Sequence, residues 1–244
     1  MTIKAVFFDV GQTLLSPAPD GEAFCATANS IGIKLTKEMV LEHTPAMYQR
    51  YEQHYLSDSS FWDDHQRARA VWLDAYGLLY RLLGLEEQAE QLALMAYQFY
   101  FNPGAWHLYD DVVETLTTLQ KREIKLGLIS NWDSSLIPVI EGLGISEFFS
   151  TIIASADVGM HKPEAGIFKL ALDRLQVQAD EALHVGDHLT ADVEGAQAAG
   201  LHAVLIDRNK RHPDYREVPR ITGLEPLPLM VEQWVSFPGT SCSR

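Results

Sequence analysis

Short apolar runs alternate with amphipathic segments along most of the chain. The runs have the length of buried strands and recur at 3–8, 124–130, 151–154, 182–186 and 202–207. Between them, apolar residues recur at helical spacing, as they do after Lys162. This alternation predicts an α/β fold, in which a parallel sheet carries helices on both faces.

Two of the separating helices have predicted ends. Pro163 is expected in the first turn of the helix that follows Lys162, where its missing amide costs nothing. Thr190 is the predicted N-cap of a helix over 191–199, and Gly200 is expected to end that helix.

The stretch from about Pro17 to Asn102 has a different pattern, with no convincing strand. Thr36 is the expected N-cap of the second of its helices, Gly32 and Gly84 are expected helix ends, and Pro45 should break or bend the second helix. Aromatic residues are dense here, and we expect most of them to pack between helices. Helical periodicity predicts four helices, near 20–31, 37–55, 62–83 and 86–100.

We therefore predict a Rossmann-like α/β core over 1–16 and 103–235, interrupted by an all-helical insertion over 17–102. A frayed tail is expected over 236–244. At 244 residues the chain is long enough for one sizeable core and a smaller domain.

Composition and charge narrow the possible partners. The chain is 47% hydrophobic and 21% charged, which is typical of a folded globular protein, and no apolar run approaches the roughly 18 residues that span a bilayer. A formal charge of −14 opposes binding to nucleic acid or to anionic membranes. The N-terminus lacks the features of a signal peptide, and a disulfide between the distant Cys25 and Cys242 is not expected. Both observations favour a reducing cytoplasm.

Acidic and polar residues stand where predicted strands end. Asp9, Ser130 and Asp187 each close an apolar run, and parallel sheets bind ligands at the carboxyl ends of their strands. Asp9 is the candidate nucleophile, because a carboxylate can attack phosphorus to form an aspartyl-phosphate. A second interpretation makes Asp9 a turn cap at Gly11. Ser130, the amide of Asn131 and Lys162 are candidates to bind the phosphoryl group, and Thr13 is a further one or an ordinary loop residue.

A magnesium site is the second expectation. Asp187 and Asp192 are hard carboxylate ligands, which together with Asp9 and the backbone carbonyl of Gly11 suit Mg²⁺. Asp192 can also act as a first-turn helix residue stabilised by the helix dipole. His161 and His188 flank these positions and are expected to pack rather than to react. Trp132 and Asp133 are expected to face an entering substrate.

These motifs resemble those of the haloacid dehalogenase-like (HAD) superfamily of hydrolases. The resemblance rests on Asp9-Val10-Gly11-Gln12-Thr13, Ser130-Asn131, Lys162-Pro163 and Gly186-Asp187 with Asp192, in the family order. It implies a mobile helical cap over a Rossmann-like core, with Asp9 as nucleophile. It also implies that Mg²⁺ is bound by Asp9, Gly11, Asp187 and Asp192, and that Ser130 and Lys162 hold the phosphoryl group of a small phosphorylated substrate.

Gly11 departs from the family phosphatases, which carry there an Asp that protonates the leaving oxygen. Losing a general acid–base costs about 10²–10⁴ in rate. The enzyme is therefore expected to favour good leaving groups, to use a cap residue such as Asp20 or Glu22 instead, or to turn over poorly. A magnesium-dependent phosphatase is the first expectation. A 2-haloacid dehalogenase, which also lacks that Asp and needs no metal, is the alternative, and a weakly catalytic phosphate-binding or interaction protein is the third.

Overall fold

A parallel sheet forms the centre of the molecule. The computed structural model describes residues 2–18 and 21–234, and in them we number the strands β1 (Ala5–Phe8), β2 (Leu15–Pro17), β3 (Trp106–Leu108), β4 (Lys125–Ser130), β5 (Thr151–Ala154), β6 (Ala182–Gly186), β7 (His202–Ile206) and β8 (Arg220–Ile221). Six of them form one sheet in the order β5-β4-β1-β6-β7-β8, with all neighbours parallel. The α/β prediction is confirmed, and all five predicted strands are present.

Strand β1 shows why its sequence is apolar without interruption. Val6 and Phe8 belong to the apolar cluster on one face of the sheet, and Ala5 and Phe7 belong to the cluster on the other. Successive side chains of a strand point to opposite faces, so a strand covered on both sides must be apolar at every position. The core therefore lies in two layers, one on each face of the sheet.

Helices supply the rest of both layers and of the insertion. They are α1 (Glu22–Ser30), α2 (Lys37–Ser57), α3 (His65–Leu82), α4 (Ala89–Phe99), α5 (Val112–Lys121), α6 (Leu136–Gly142), α7 (Ser155–Val158), α8 (Ala165–Leu175), α9 (Gly195–Ala198) and α10 (Leu227–Glu232). Residues of α5, α6 and α10 pack on one face of the sheet, and residues of α8 and α9 pack on the other. None of the helices in the described part of the chain is long and apolar enough to cross a membrane.

Helices α1–α4 form the cap, and several of its aromatic residues pack between helices as predicted. Phe24 makes edge-to-face contacts with Tyr76 and Tyr80, at centroid distances of 5.2 and 5.9 Å. The chain passes between the sheet and this cap twice, and the antiparallel strands β2 and β3 pair with each other at these two passages. Neither these two strands nor β8 was predicted, because two or three residues are too few to show an alternating pattern. The exact domain boundaries stay a prediction.

The expected helix ends are confirmed at several positions. The Thr36 side chain accepts a hydrogen bond from the Met39 amide at 3.4 Å. Gly32, Gly84 and Gly200 follow their helices with φ of 84°, 79° and 87°, a left-handed conformation that glycine adopts without strain.

Of the break or bend expected at Pro45, the break does not occur. Helix α2 is continuous from Lys37 to Ser57. A proline at 45 removes the amide that would bond to the carbonyl of Leu41, but the Thr44 hydroxyl donates to that carbonyl at 3.1 Å. A local side-chain hydrogen bond therefore replaces the missing one.

Two other predicted helix starts are wrong. Residues Leu189–Glu194 form a π-helical turn rather than an α-helix. Its N-cap is His188 rather than Thr190, and the His188 side chain accepts a hydrogen bond from the Ala191 amide at 3.1 Å. Helix α8 begins at Ala165 with Glu164 as its N-cap, so Pro163 lies before the helix. Cys25 is a free thiol, whereas Cys242 and the predicted tail lie outside the described residues.

Candidate active site

The three central strands bring the candidate residues to one edge of the sheet. Asp9 directly follows β1, Ser130 is the last residue of β4, and Asp187 directly follows β6. Strand β1 lies between β4 and β6. The three residues therefore meet although they are far apart in sequence, as the strand pattern predicted.

Asp9 is held through one of its two carboxylate oxygens. Its Oδ1 accepts hydrogen bonds from Ser130 Oγ at 3.1 Å and from Lys162 Nζ at 2.7 Å. Among the described residues none donates a hydrogen bond to Oδ2. The side chain is fixed and nearly buried, with one oxygen left available for a ligand or for attack.

Lys162 and Asp192 form a buried ion pair behind Asp9. Lys162 Nζ lies 2.5 Å from Asp192 Oδ1, and the two residues are only 2% and 1% exposed. Burial favours the neutral amine, but the Asp192 and Asp9 carboxylates outweigh it and raise the pKa of Lys162. Burial likewise opposes ionisation of Asp192, and Lys162 and His184 reverse that effect and lower its pKa. The raised pKa favours the charged form of Lys162, whose ammonium lies beside Asp9.

Two further donors complete the surroundings of Asp192. His184 Nε2 lies 2.9 Å from Oδ1, and the His188 amide donates to Oδ2 at 3.0 Å. Four lone-pair positions are available on a carboxylate, so one remains, on Oδ2. Burial lowers the pKa of His184 despite its bond to Asp192, which keeps the imidazole neutral. His184 was not predicted, although a lone polar residue within the apolar run 182–186 was the available signal.

Asp9, Asp187 and Asp192 can converge on one cation. Each offers a carboxylate oxygen, and these oxygens lie within 4.8 Å of one another. Burial, and then the charges of Asp9 and Asp192, raise the pKa of Asp187 to about 8. Like charges held this close favour a bound cation, and an all-oxygen donor set suits Mg²⁺. The residues present therefore fit the metal that the family resemblance implies.

Asn131 and Thr13 are the other two predicted ligands of the phosphoryl group. Asn131 uses its side chain to hold the backbone of Lys162: its Nδ2 donates to the Lys162 carbonyl at 2.9 Å, and its Oδ1 accepts from the Lys162 amide at 2.8 Å. Only the amide of Asn131 remains for a substrate. The Thr13 side chain is fully buried, and its hydroxyl has no hydrogen-bond partner within the described residues.

Arg208 fixes the loop that carries Thr13. Its guanidinium donates twice to the Thr13 carbonyl, at 3.1 and 2.9 Å, and makes two bonds of 2.8 Å to the Asp111 carboxylate. It also lies 3.8 Å from the centre of the Tyr109 ring. This residue follows β7 and was not predicted, since nothing in the local pattern links it to residue 13.

Hydrogen bonds join the cap to the core next to Lys162. The ring of His161 bonds to two cap residues, with Nδ1 2.8 Å from Asp63 Oδ1 and Nε2 3.0 Å from Ser59 Oγ. Ser155 Oγ donates to the Trp62 carbonyl at 2.8 Å. His161 therefore packs as expected and, in addition, connects the cap to the residue before Lys162.

Asp133 does not face an entering substrate, contrary to expectation. Its carboxylate is buried, accepts from Tyr97 Oη of the cap at 2.5 Å and from the Ser135 amide at 2.9 Å. A cavity of about 480 Å³ lies beside this contact, and Asp9, Asp187 and Asp192 do not line it. Its walls are His65, Gln66, Arg69, Leu94, Tyr97, Gln98, Phe101 and Ser134. Trp132, by contrast, packs on Trp106 at 4.8 Å and approaches Gly11.

The sequence pattern of the haloacid dehalogenase-like hydrolases matches residues 3–200. The chain belongs to this family. It is therefore a hydrolase, and the family prediction is confirmed. This HAD-like hydrolase is 30% identical over 215 residues to the human protein named haloacid dehalogenase-like hydrolase domain-containing protein 3, covering 84% of this chain and 82% of the relative.

Two other proteins bear on its chemistry. A glyceraldehyde 3-phosphate phosphatase of Methanopyrus kandleri is 30% identical over 215 residues, which is 85% of each chain. The solved structure of a 2-haloacid dehalogenase from Pseudomonas syringae pv. Tomato DC3000 superposes with a TM-score of 0.64 at 25% identity, and the match covers 96% of this chain and all of that one.

Proposed function

We propose that this HAD-like hydrolase is a magnesium-dependent phosphatase of small phosphorylated molecules that acts through an aspartyl-phosphate at Asp9. The observation that carries the proposal is the position of the buried Lys162 ammonium, 2.7 Å from Asp9 Oδ1. A cation fixed there balances the charge of a nucleophile and of a phosphoryl group at the same time. The resemblance to a named phosphatase over 85% of the chain supports the same assignment.

The residues have separate roles in this proposal. Ser130 and Lys162 hold Oδ1 of Asp9, so Oδ2 is presented toward phosphorus and the P–O bond to the leaving group breaks as the Asp9–phosphorus bond forms. The Asn131 and Thr13 amides are the proposed donors to the phosphoryl oxygens. The Ser130 hydroxyl has one proton, so it joins them only by turning from Asp9 Oδ1 to the substrate. Water then releases phosphate from Asp9.

Asp9, Asp187 and the Gly11 carbonyl are the proposed magnesium ligands, and Asp192 contributes through its remaining lone pair or through Lys162. When bound, Mg²⁺ would neutralise charge that builds on the phosphoryl oxygens. Asp192 already accepts three hydrogen bonds, so we assign it mainly to positioning Lys162.

Cap contacts support a gated site. The bonds of His161 and Ser155 to the cap lie directly beside Lys162 and the loop after β4. Cap closure over these residues would exclude water and strengthen the electrostatic interactions around the phosphoryl group. The lid also limits substrates to small molecules.

A 2-haloacid dehalogenase is the second candidate, favoured by Gly11 and by the dehalogenase whose structure resembles this chain. That reaction attacks carbon and needs no metal. It would leave Asp187, whose pKa of about 8 results from burial and from the charges of Asp9 and Asp192, without a cation. The three convergent carboxylates therefore favour the phosphatase.

Hydrolysis of p-nitrophenyl phosphate by wild type and Asp9→Asn, each with magnesium or with EDTA, tests the proposal. This substrate has a good leaving group, so it does not depend on an acid at residue 11. Turnover that requires both Asp9 and magnesium is the expected result. Halide release from 2-chloropropionate, with no phosphatase activity in any condition, would replace the phosphatase by the dehalogenase.

A further inference from the structure

The cavity of about 480 Å³ lies where cap helices α3 and α4 meet the loop after β4, and Asp9, Asp187 and Asp192 are not among its lining residues. Its walls come from both parts of the molecule, because Ser134 belongs to the core and the other lining residues lie in or just after α3 and α4. Small-molecule sites have volumes of about 300–1,000 Å³, with mostly apolar walls and a few polar groups that orient the ligand. The cavity has the size of such a site, so the chemistry of its walls decides what it can bind.

One wall of the cavity is apolar and largely aromatic. Leu94, Tyr97 and Phe101 are spaced by three and four residues, the spacing of one helix face, and Phe101 lies just after the end of α4. The rings of Tyr97 and Phe101 pack edge-to-face with centroids 5.2 Å apart. The Tyr97 hydroxyl also donates to Asp133 Oδ2 at 2.5 Å, which fixes its ring from the core. This pair of rings is a rigid surface on which another flat ring can pack.

Three polar side chains of the cavity carry N–H donors that the described residues do not use. Gln66 and Arg69 lie one turn apart on α3, and Gln98 lies on α4. Within the described part of the chain neither amide side chain forms a hydrogen bond, and the Arg69 guanidinium forms no ion pair. Its one contact is with the Tyr97 ring, 5.9 Å from the ring centroid. The donors of the cavity are therefore available to a ligand, and one of them is charged.

The neighbouring carboxylates do not compensate Arg69. Two carboxylates bond to residues that line the cavity: Asp133 accepts from Tyr97, and Asp157 Oδ1 lies 3.2 Å from His65 Nε2. Neither forms an ion pair with Arg69 in the part of the chain that the structure describes. The chain as a whole has a formal charge of −14. An arginine without a carboxylate partner thus stands over an aromatic wall of an otherwise acidic protein.

We propose that this cavity is a second binding site, separate from the cluster around Asp9, and that its ligand is a small aromatic carboxylate. The ring of the ligand packs on Tyr97 and Phe101. Its carboxylate accepts two parallel N–H bonds from the planar guanidinium of Arg69. One guanidinium balances one negative charge, which favours a carboxylate over a doubly charged phosphate. The proposal does not depend on the reaction at Asp9.

An NMR titration of the full chain in EDTA tests the proposal. The probes are 2-naphthoate and 2-naphthamide, which share one shape and differ in charge. We expect 2-naphthoate to bind at one site, about tenfold more tightly than 2-naphthamide, because a hydrogen bond to a charged group contributes at least that factor.

Exposed side chains of the two helices provide the variants, so each is expected to fold. Arg69→Gln removes the charge and keeps a long polar side chain. Arg67→Gln is the matched control, because Arg67 lies on the same helix, pairs with Asp58 and does not line the cavity. Arg69→Gln should bind both probes equally, and Arg67→Gln should keep the preference for 2-naphthoate. Gln98→Glu should weaken 2-naphthoate alone, by about tenfold, since it places a second carboxylate in the cavity.

Three results would overturn the proposal. They are the absence of saturable 2-naphthoate binding, a preference for 2-naphthoate that survives Arg69→Gln, and displacement of the probe by inorganic phosphate with magnesium in a titration without EDTA. Displacement would place the probe at the cluster around Asp9 and not in a separate site. None of these results bears on phosphatase activity, so the proposed function stands or falls by its own assay.

Discussion

Replacing Asp192 by Asn is expected to destabilise the fold far more than replacing Asp187. Asp192 is 1% exposed and accepts from Lys162 at 2.5 Å, from His184 at 2.9 Å and from the His188 amide at 3.0 Å. An amide has one accepting oxygen, so its NH₂ group must face one of these donors. Removing one partner of a buried ion pair costs about 3–5 kcal/mol.

The neutral side chain keeps part of the hydrogen bonding, so we expect about 3 kcal/mol for Asp192→Asn. In a chain of this length that corresponds to a fall in Tm of roughly 6–12 °C. Thermal melts in EDTA, supported by urea unfolding at 25 °C, measure it.

Asp187→Asn provides the contrasting control. The raised pKa of Asp187, caused by burial and by Asp9 and Asp192, shows that its ionised form is disfavoured in the folded protein without a cation. Neutralising it should leave Tm in EDTA unchanged or raise it, while abolishing the rise in Tm that magnesium gives the wild type. A cost below about 1 kcal/mol for Asp192→Asn, or an equal loss in both variants, would refute the assignment of Asp192 to positioning Lys162.

Three further outcomes are expected. Without magnesium, the free energy of unfolding should fall as pH rises from 6 to 9. The folded state keeps the Asp187 proton up to a pKa of about 8, whereas the unfolded chain loses it at a much lower pH. Magnesium should reverse this trend. Arg208→Lys should cost about 1–3 kcal/mol in urea unfolding, because a single ammonium cannot keep both bonds to Asp111 and those to the loop carbonyl. Gly195→Ala should cost about 1–3 kcal/mol, since its Cβ would lie 2.9 Å from the Pro163 α-carbon.

Each of these outcomes has a control. Asp187→Asn should flatten the fall in stability with pH in EDTA. A fall that persists in that variant would show that Asp187 does not cause it. Asp111→Asn should weaken the same contacts of Arg208 as Arg208→Lys does. No loss of stability in either variant would contradict the assignment of Arg208 to fixing the loop at residue 13. Gly11→Ala, whose Cβ would make only a 3.8 Å contact, should be nearly neutral in stability, in contrast to Gly195→Ala.

Local pattern was enough to predict the architecture and the edge of the sheet where the candidate residues meet. The apolar runs identified five of the six strands of the sheet, because a strand buried on both faces must be apolar along its length. Once the sheet is parallel, Asp9, Ser130 and Asp187 must meet, since each ends a strand and carboxyl ends share one edge. The cap helices were equally predictable from periodicity and from Thr36, Gly32 and Gly84.

What each side chain does at the site depended on contacts between distant parts of the chain. Asn131 holds the backbone of Lys162 with its side chain, Asp192 joins that lysine to His184, and Asp133 binds a tyrosine of the cap.

Arg208 reaches the loop at residue 13 from nearly two hundred residues away. Periodicity reports which face of an element is buried, but not which partner it meets there. That choice is made by the packing of distant elements, so only the tertiary structure showed that Lys162 lies between Asp9 and Asp192.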